Sequence, residues 1–420
     1  MNLTLIESIA STVSSSRFCF ALLGLIVISG GCRSTRPTAL VANQAFASGD
    51  LITAAETLRT QSESSKQQRE SSSLDLALVE LASGNASSAE SRLRGLRDHF
   101  DARPTVSVHD AASLVSDDRA RQFSLAAYED VVLRTMLAIC SLSSGSGDST
   151  AYLLQAQSKQ RELAETLDAN EDGPQYTTHV ALAPYLHGVI REASYQNFDD
   201  AERSFRLVSQ IEPDFLPAEE DIRRASEGHH SASGHGVLYV VSFVGVGPQR
   251  VETVAPTTTL SLQIASRLIR TLRQDDDEEE DDNPVLPNIA SVKVPTIIVP
   301  ESPIAAIGVR STAAFLGATQ TLTHVGRMAE KQSQAEMPWT IARAVARRVL
   351  KESSVAAVSR SAGLSGNAAS LFEFAASSAW SGVERADTRC WSLLPREFQV
   401  LRAELPKGKQ AIELLPLGPN

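Results

Sequence analysis

Four short junctions in the first half of the chain constrain its fold more than any other feature. Phe46-Ala47-Ser48-Gly49-Asp50 precedes Ala54, and Leu81-Ala82-Ser83-Gly84-Asn85 precedes Ala89. Ser144-Gly145-Ser146-Gly147-Asp148 precedes Ala151, and Tyr195-Gln196-Asn197-Phe198-Asp199-Asp200 precedes Ala201. Each joins segments whose apolar residues recur every three or four positions, the spacing of helices with one buried face. Gly and Asn reach the left-handed turn conformation at little cost, and the polar residue that follows can cap the next helix. The Ala of each unit is small enough to let two helices approach closely. Strand-like alternation is absent from residues 38–227, so this half is expected to be helical hairpins in tandem.

These units resemble tetratricopeptide repeats, whose period is 34 residues. Gly49 and Gly84 are 35 residues apart, whereas the later spacings of 63 and 50 make the array irregular. An ordinary helical bundle is the other reading of the same residues. The breakers in Asp101-Ala102-Arg103-Pro104 and Asn170-Glu171-Asp172-Gly173-Pro174 account for part of the irregularity. The polar tract at 63–73 reads as a loop or an exposed helix. Stacked hairpins build extended surfaces suited to binding other proteins.

Residues 228–236 form a Gly/Ser/His linker, after which the pattern changes. Strands are expected at 237–246, 250–254, 292–299, 397–403 and 410–415, the last two joined across Pro406-Lys407-Gly408. Pro295 marks its strand as an edge or a bulge. Residues 323–359 read as helical, with Pro338 where a helix can begin and Ile341, Val345 and Val349 on an apolar stripe. Arg343, Arg347 and Arg348 lie off that stripe, as a candidate basic face for anionic lipid or glycan or simply a solvated one. A second apolar helix is expected at 371–380. The fold class is therefore α+β and mostly α. It comprises irregular tetratricopeptide-like hairpins over 38–227 and a small β-sandwich-like domain over 237–420, with an acidic loop at 275–282 and a helical insertion at about 323–380.

The N-terminus carries an address. Residues 18–28 are an apolar run, too short for the roughly 20 residues that span a bilayer but suited to an export signal. Arg17 precedes it, and Ser29, Gly30 and Gly31 lead into Cys32. This segment resembles a lipobox, with Ser29 standing where a larger aliphatic residue is usual. The expectation is a signal peptide over 1–31, acylation of Cys32, and a tether over 32–37. A buried N-terminal helix and an uncleaved signal anchor are the alternatives. Of the remaining cysteines, Cys140 lies in an apolar helical run, and a bridge to Cys390 is the less favoured reading.

Net charge is −11, and the eight acidic residues at 275–282 leave the rest near −3. No basic stripe of the kind that holds nucleic acid stands out. The acidic run reads as a solvated loop, because a calcium loop needs spaced ligands and a turn glycine. His229, His230 and His235 sit on a linker without the scaffold that a metal site requires. No nucleophile, base and acid fall into a catalytic pattern, and no phosphate loop survives, since Pro248 follows Gly245-Val246-Gly247. Neither catalytic residues nor a cofactor or metal are assigned.

The segment Arg385-Ala386-Asp387-Thr388-Arg389-Cys390-Trp391-Ser392-Leu393-Leu394-Pro395, followed by Phe398-Gln399-Val400, resembles the C-terminal signature of an uncharacterised family of bacterial lipoproteins. Pro338 with Ala342-Arg343 and Ala346-Arg347, the strand at 237–246, and Tyr128-Glu129-Asp130 are similar too. The resemblance implies a tetratricopeptide-containing, membrane-anchored envelope protein with partners in envelope or peptidoglycan assembly, and it implies no activity. The chain departs from the pattern in its acidic insert and its short C-terminus, which leaves the last strand open. Arg385, Asp387, Thr388, Arg389 and Trp391 are the candidate motif, either pinning a helix–strand junction or lining a partner pocket. The function expected is a lipid-anchored, periplasm-facing scaffold of the cell envelope, at the outer membrane. The alternatives are a glycan- or lipid-binding β domain and, less favoured, a hydrolase.

Overall fold

The computed structural model describes residues 36–103, 123–169, 173–176, 179–273, 291–312, 314–361 and 385–419. Helices fill the first half: α1 (Arg36–Ala47), α2 (Leu51–Ser64), α3 (Arg69–Ala82), α4 (Ala86–Asp101), α5 (Ala127–Ser144), α6 (Ser149–Asp168), α7 (Leu182–Ala193), α8 (Phe198–Ile211) and α9 (Pro217–Ser226). Each packs against the next in chain order. The second half holds β1 (His235–Val246), β2 (Gln249–Pro256), α10 (Thr259–Arg273), β3 (Ser291–Ile298), β4 (Ala306–Ser311), β5 (Phe315–Ala318), β6 (Gln320–Thr323), α11 (Val325–Ser361), β7 (Pro395–Pro406) and β8 (Ile412–Leu417). The chain is thus α+β and mostly α.

All four junctions turn between consecutive helices, but not all by the expected residue. Gly49 and Gly84 have φ of +80°, and the Asp50 carboxylate accepts from the Thr53 amide at 3.1 Å. At the fourth junction Tyr195, not Asn197, takes the left-handed conformation, and Asn197 stands at the start of α8. Ala54, Ala89 and Ala201 are fully buried, and each amide bonds the carbonyl four residues back. The third junction differs. Gly145 and Gly147 are both left-handed there and Asp148 begins the helix as Asp50 does, but Ala151 stands three residues after it rather than four. Tyr152, rather than Ala151, bonds back to Asp148 and is buried, while Ala151 is exposed. The polar tract resolves into the end of α2 and the start of α3, where Ser71, Ser72 and Ser73 are buried.

The strands form three small antiparallel sheets, ordered β1-β7-β6, β2-β3 and β5-β4-β8. β1 pairs with β7 from His235↔Pro406 to Val246↔Pro395. At Gly247 the chain changes partner and continues as β2 against β3. The change is possible because Gly247 has no side chain: a Cβ there would stand 2.2 Å from the Leu394 carbonyl oxygen. Pro295 lies opposite Glu252 in a two-stranded ribbon, where a missing N–H breaks no ladder on its outer edge. The hairpin expected across 406–408 is not formed. β7 pairs with β1 and β6, whereas β8 crosses to β4, which also gives the last strand its place.

Helix α11, expected over 323–359, begins at Val325 and runs through Pro338. Its stripe of Ile341, Val345 and Val349 packs with Ala265 and Ile269 of α10 and Val292 and Val294 of β3. The main core is continuous across the two halves. It joins Leu133, Leu137, Tyr185 and Phe205 of the helices to Leu322, Val325, Trp391, Phe398 and Val400. The linker is no free tether: the Ala232 amide donates to the Glu404 carboxylate at 3.0 Å. Among the described residues no helix is long and apolar enough to cross a membrane.

Candidate functional site

The segment from Arg385 to Leu394 passes between the first helices and the turn that joins β1 to β2. Its polar residues come first. Arg389 presents a fork to Asp387, with Nε to Oδ1 at 2.8 Å and a terminal nitrogen to Oδ2 at 2.7 Å, and its amide also donates to Oδ1 at 3.0 Å. Its other terminal nitrogen donates to the Gln67 carbonyl at 2.9 Å, on the α2–α3 connection. The guanidinium lies 5.9 Å from the centre of the Phe123 ring. Planar two-point pairing of this kind fixes orientation as well as charge. Thr388 is half-buried between the pair, and Arg385 is exposed. Ala386 donates its amide to Glu252 of β2 at 2.8 Å.

Trp391 is fully buried. Its amide donates to Glu129 Oε1 at 3.4 Å, while Glu129 Oε2 accepts from the Ala126 amide at 2.8 Å. Glu129 occupies the third position of α5 and reaches back to the residue before the helix, one half of a capping box. Its carboxyl is raised by burial, against which the Arg250 charge works. Arg250 in turn donates to the Arg389 carbonyl at 3.2 Å. The indole Nε1 of Trp391 has no hydrogen-bond acceptor among the described residues.

Asp75 of α3 grips the next two residues. Its Oδ1 accepts from the Leu393 amide at 2.8 Å, and its Oδ2 lies 2.7 Å from the Ser392 hydroxyl. That hydroxyl is also 3.1 Å from Asn43 Oδ1 of α1. Burial raises the Asp75 carboxyl to about 7, because the donors that hold it are neutral and Glu129 lies nearby. On the other side, Gln249 donates to the Ser392 carbonyl at 2.7 Å and Gly247 to the Leu394 carbonyl at 2.9 Å. Burial also pushes the Cys390 thiol up to about 12. Cys140 is fully buried and likewise pushed up to about 12 by burial. Both are free thiols.

A second polar junction ties the linker and β7 to the last helices. Arg224 of α9 forks onto the buried Glu192 of α7 at 2.7 and 2.9 Å and reaches Asp221 at 2.7 Å. His230 Nδ1 lies 3.1 Å from the same Glu192. Arg402 donates to the His230 carbonyl and to Glu404. The three linker histidines do not converge: His229 is exposed, and His235 Nδ1 faces the Ser233 carbonyl. No group of three or more metal-binding side chains occurs among the described residues.

The three arginines of the candidate basic face differ in exposure. Arg347 is only 2% exposed, and Arg343 and Arg348 are half-buried. Ala344, Val345 and Ala346 are buried with it, so α11 is enclosed around most of its circumference at this level, whereas Arg327 near its start is exposed. Cys32, the acidic run at 275–282 and the helix expected at 371–380 lie outside the described residues.

Asp75, Glu129, Asp387 and Arg389 each direct their polar atoms to groups of this chain. The junction therefore acts as a clasp between the helices and the sheets. The motif residues were identifiable in the sequence, but their partners Asp75, Gln67 and Arg250 were not. Only Glu129 carried a signal, as the acid near the start of an apolar helix. No protein-family model matches the chain, and no curated protein and no solved structure matches it.

Proposed function

We propose that this chain is a lipid-anchored scaffold of the bacterial cell envelope, held by an acylated Cys32 and binding other envelope proteins through its helical array. The observation that carries the reading is the pairing of two features. One is a short apolar run ending in small residues and Cys32; the other is a run of helices that stack in chain order from α1 to α9. Such an array offers an extended surface and needs no catalytic group to work. The resemblance to an uncharacterised lipoprotein family, through Asp387, Arg389 and Trp391, supports an outer-membrane, periplasm-facing location and a role in envelope or peptidoglycan assembly. The clasp supports the same role, since it holds the array to the sheets. The burial of Arg347 disfavours the alternative of a basic lipid- or glycan-binding face. Crosslinking in intact cells, followed by purification from the membrane, tests the scaffold. Discrete envelope-protein partners, lost when exposed positions on α4–α8 are changed, are the expected result. An absence of partners combined with turnover of an envelope substrate would refute it.

A further inference from the structure

Helix α1 has the composition of a buried element and, among the described residues, the position of a terminal one. Arg36 is the only charged residue among its twelve. Ala42 and Ala45 face inward, against Leu58 and Leu76. Its outer face carries Leu40, Val41, Gln44 and Ala47, all exposed and none charged. Beside it, at the start of α2, Ile52 is 75% exposed. Among the described residues no helix stacks on this outer side. Terminal units of a stacked array normally end in a polar face, because nothing covers them. This one ends in an apolar face.

The sequence indicates what covers it. Four residue steps separate Cys32 from Arg36, and they span at most about 14 Å when fully extended. Acyl chains on Cys32 would therefore hold α1 at the membrane surface. Arg33 and Arg36 stand in the sequence between Cys32 and that face. An uncharged outer face with flanking arginines suits a helix lying in the interface plane. We propose that α1 rests on the bilayer, with Leu40, Val41 and Gln44 in the boundary between headgroups and acyl chains. The membrane then supplies the missing cap of the array. This proposal rests on the reading of Cys32 as the lipid anchor.

The test uses the acylated protein purified from its own membranes and placed in vesicles of phosphatidylethanolamine and phosphatidylglycerol. A polarity-sensitive fluorophore is attached at Gln44→Cys and, as a distant control, at Glu165→Cys on α6. The probe on α1 is expected to shift to shorter wavelength and to lose emission when lipids brominated on their acyl chains are used, while the control changes in neither respect. Leu40→Ser with Val41→Ser should abolish that quenching while the protein stays on the vesicles. An unquenched α1 probe on vesicle-bound protein would overturn the proposal and leave the anchor standing. So would a disulfide between two Gln44→Cys copies, which would make a second chain the cover. Protein that carries no acyl group and does not float with vesicles would overturn the anchor itself.

Discussion

Replacing Asp75 by Asn isolates the charge of one buried carboxyl from its hydrogen bonds. Asn keeps an acceptor for the Leu393 amide and supplies a donor to the Ser392 hydroxyl, so the clasp retains its geometry. What it removes is the ionisation. The folded carboxyl titrates at about 7, whereas its ordinary value is 3.8. Because the folded value is the higher one, the folded state binds the proton more tightly than the unfolded chain. The contribution of Asp75 is therefore greatest at or below about pH 4, declines as pH rises toward 7, and is level above that. At about 1.4 kcal/mol per pH unit, the full loss is on the order of 4 kcal/mol and the portion above pH 5 about 3 kcal/mol. Urea unfolding at pH 5 and pH 8 reads the difference. Asp75→Asn should be more stable than the wild type by about 1–2 kcal/mol at pH 5 and by about 4 kcal/mol at pH 8. Asp75→Ala, which leaves the Leu393 amide and Ser392 hydroxyl unpaired, should be less stable than the wild type at pH 5, by about 1–3 kcal/mol, and that deficit should shrink by about 3 kcal/mol at pH 8. If Asp75→Asn were destabilised equally at the two pH values, the carboxyl would be ionised and its charge in use, and the reasoning would be refuted.

Three further outcomes follow from the same junction. A double-mutant cycle of Asp387→Ala and Arg389→Ala should give a coupling of about 1–3 kcal/mol in unfolding free energy. A folded Asp387→Ala protein with unchanged stability but lost partner binding would instead make the motif a recognition site. Gly247→Ala places a methyl group within bonding range of the Leu394 carbonyl, so it should cost about 3 kcal/mol or more, while Gly95→Ala on the open face of α4, which meets nothing within 4 Å, should be neutral or stabilising. Thiol titration with an aromatic disulfide at pH 8 should find Cys140 unreactive until urea unfolds the protein. Rapid native reaction there would show that the helices around it open.

How much of this was legible in the sequence depended on whether the signal was local. Gly49 and Gly84 mark their turns because a left-handed backbone is a property of one residue. The strands at 237–246 and 292–299 were visible because both are rich in β-branched residues. The third junction was misread by one residue, since the inward position lies four residues after the cap and there it holds Tyr152, not Ala151. The helix expected over 323–359 is α11, which runs through Pro338. Periodicity located the stripe of Ile341, Val345 and Val349 but not the burial of Arg347 beside it. β4, β5 and β6, at four to six residues each, are too short to carry a pattern. The clasp itself was beyond reach, because Asp75 and Leu393 lie 318 residues apart and meet only in the fold.

The measurement that bears most directly on the central claim is the intact mass and N-terminal peptide of the protein isolated from the membranes of the cell that makes it. The account predicts a chain that begins at Cys32 and carries acyl groups on it, with Cys32→Ser found unprocessed or in the soluble fraction. A chain that retains residues 1–31 with an unmodified Cys32, or one exported and fully soluble, would contradict it.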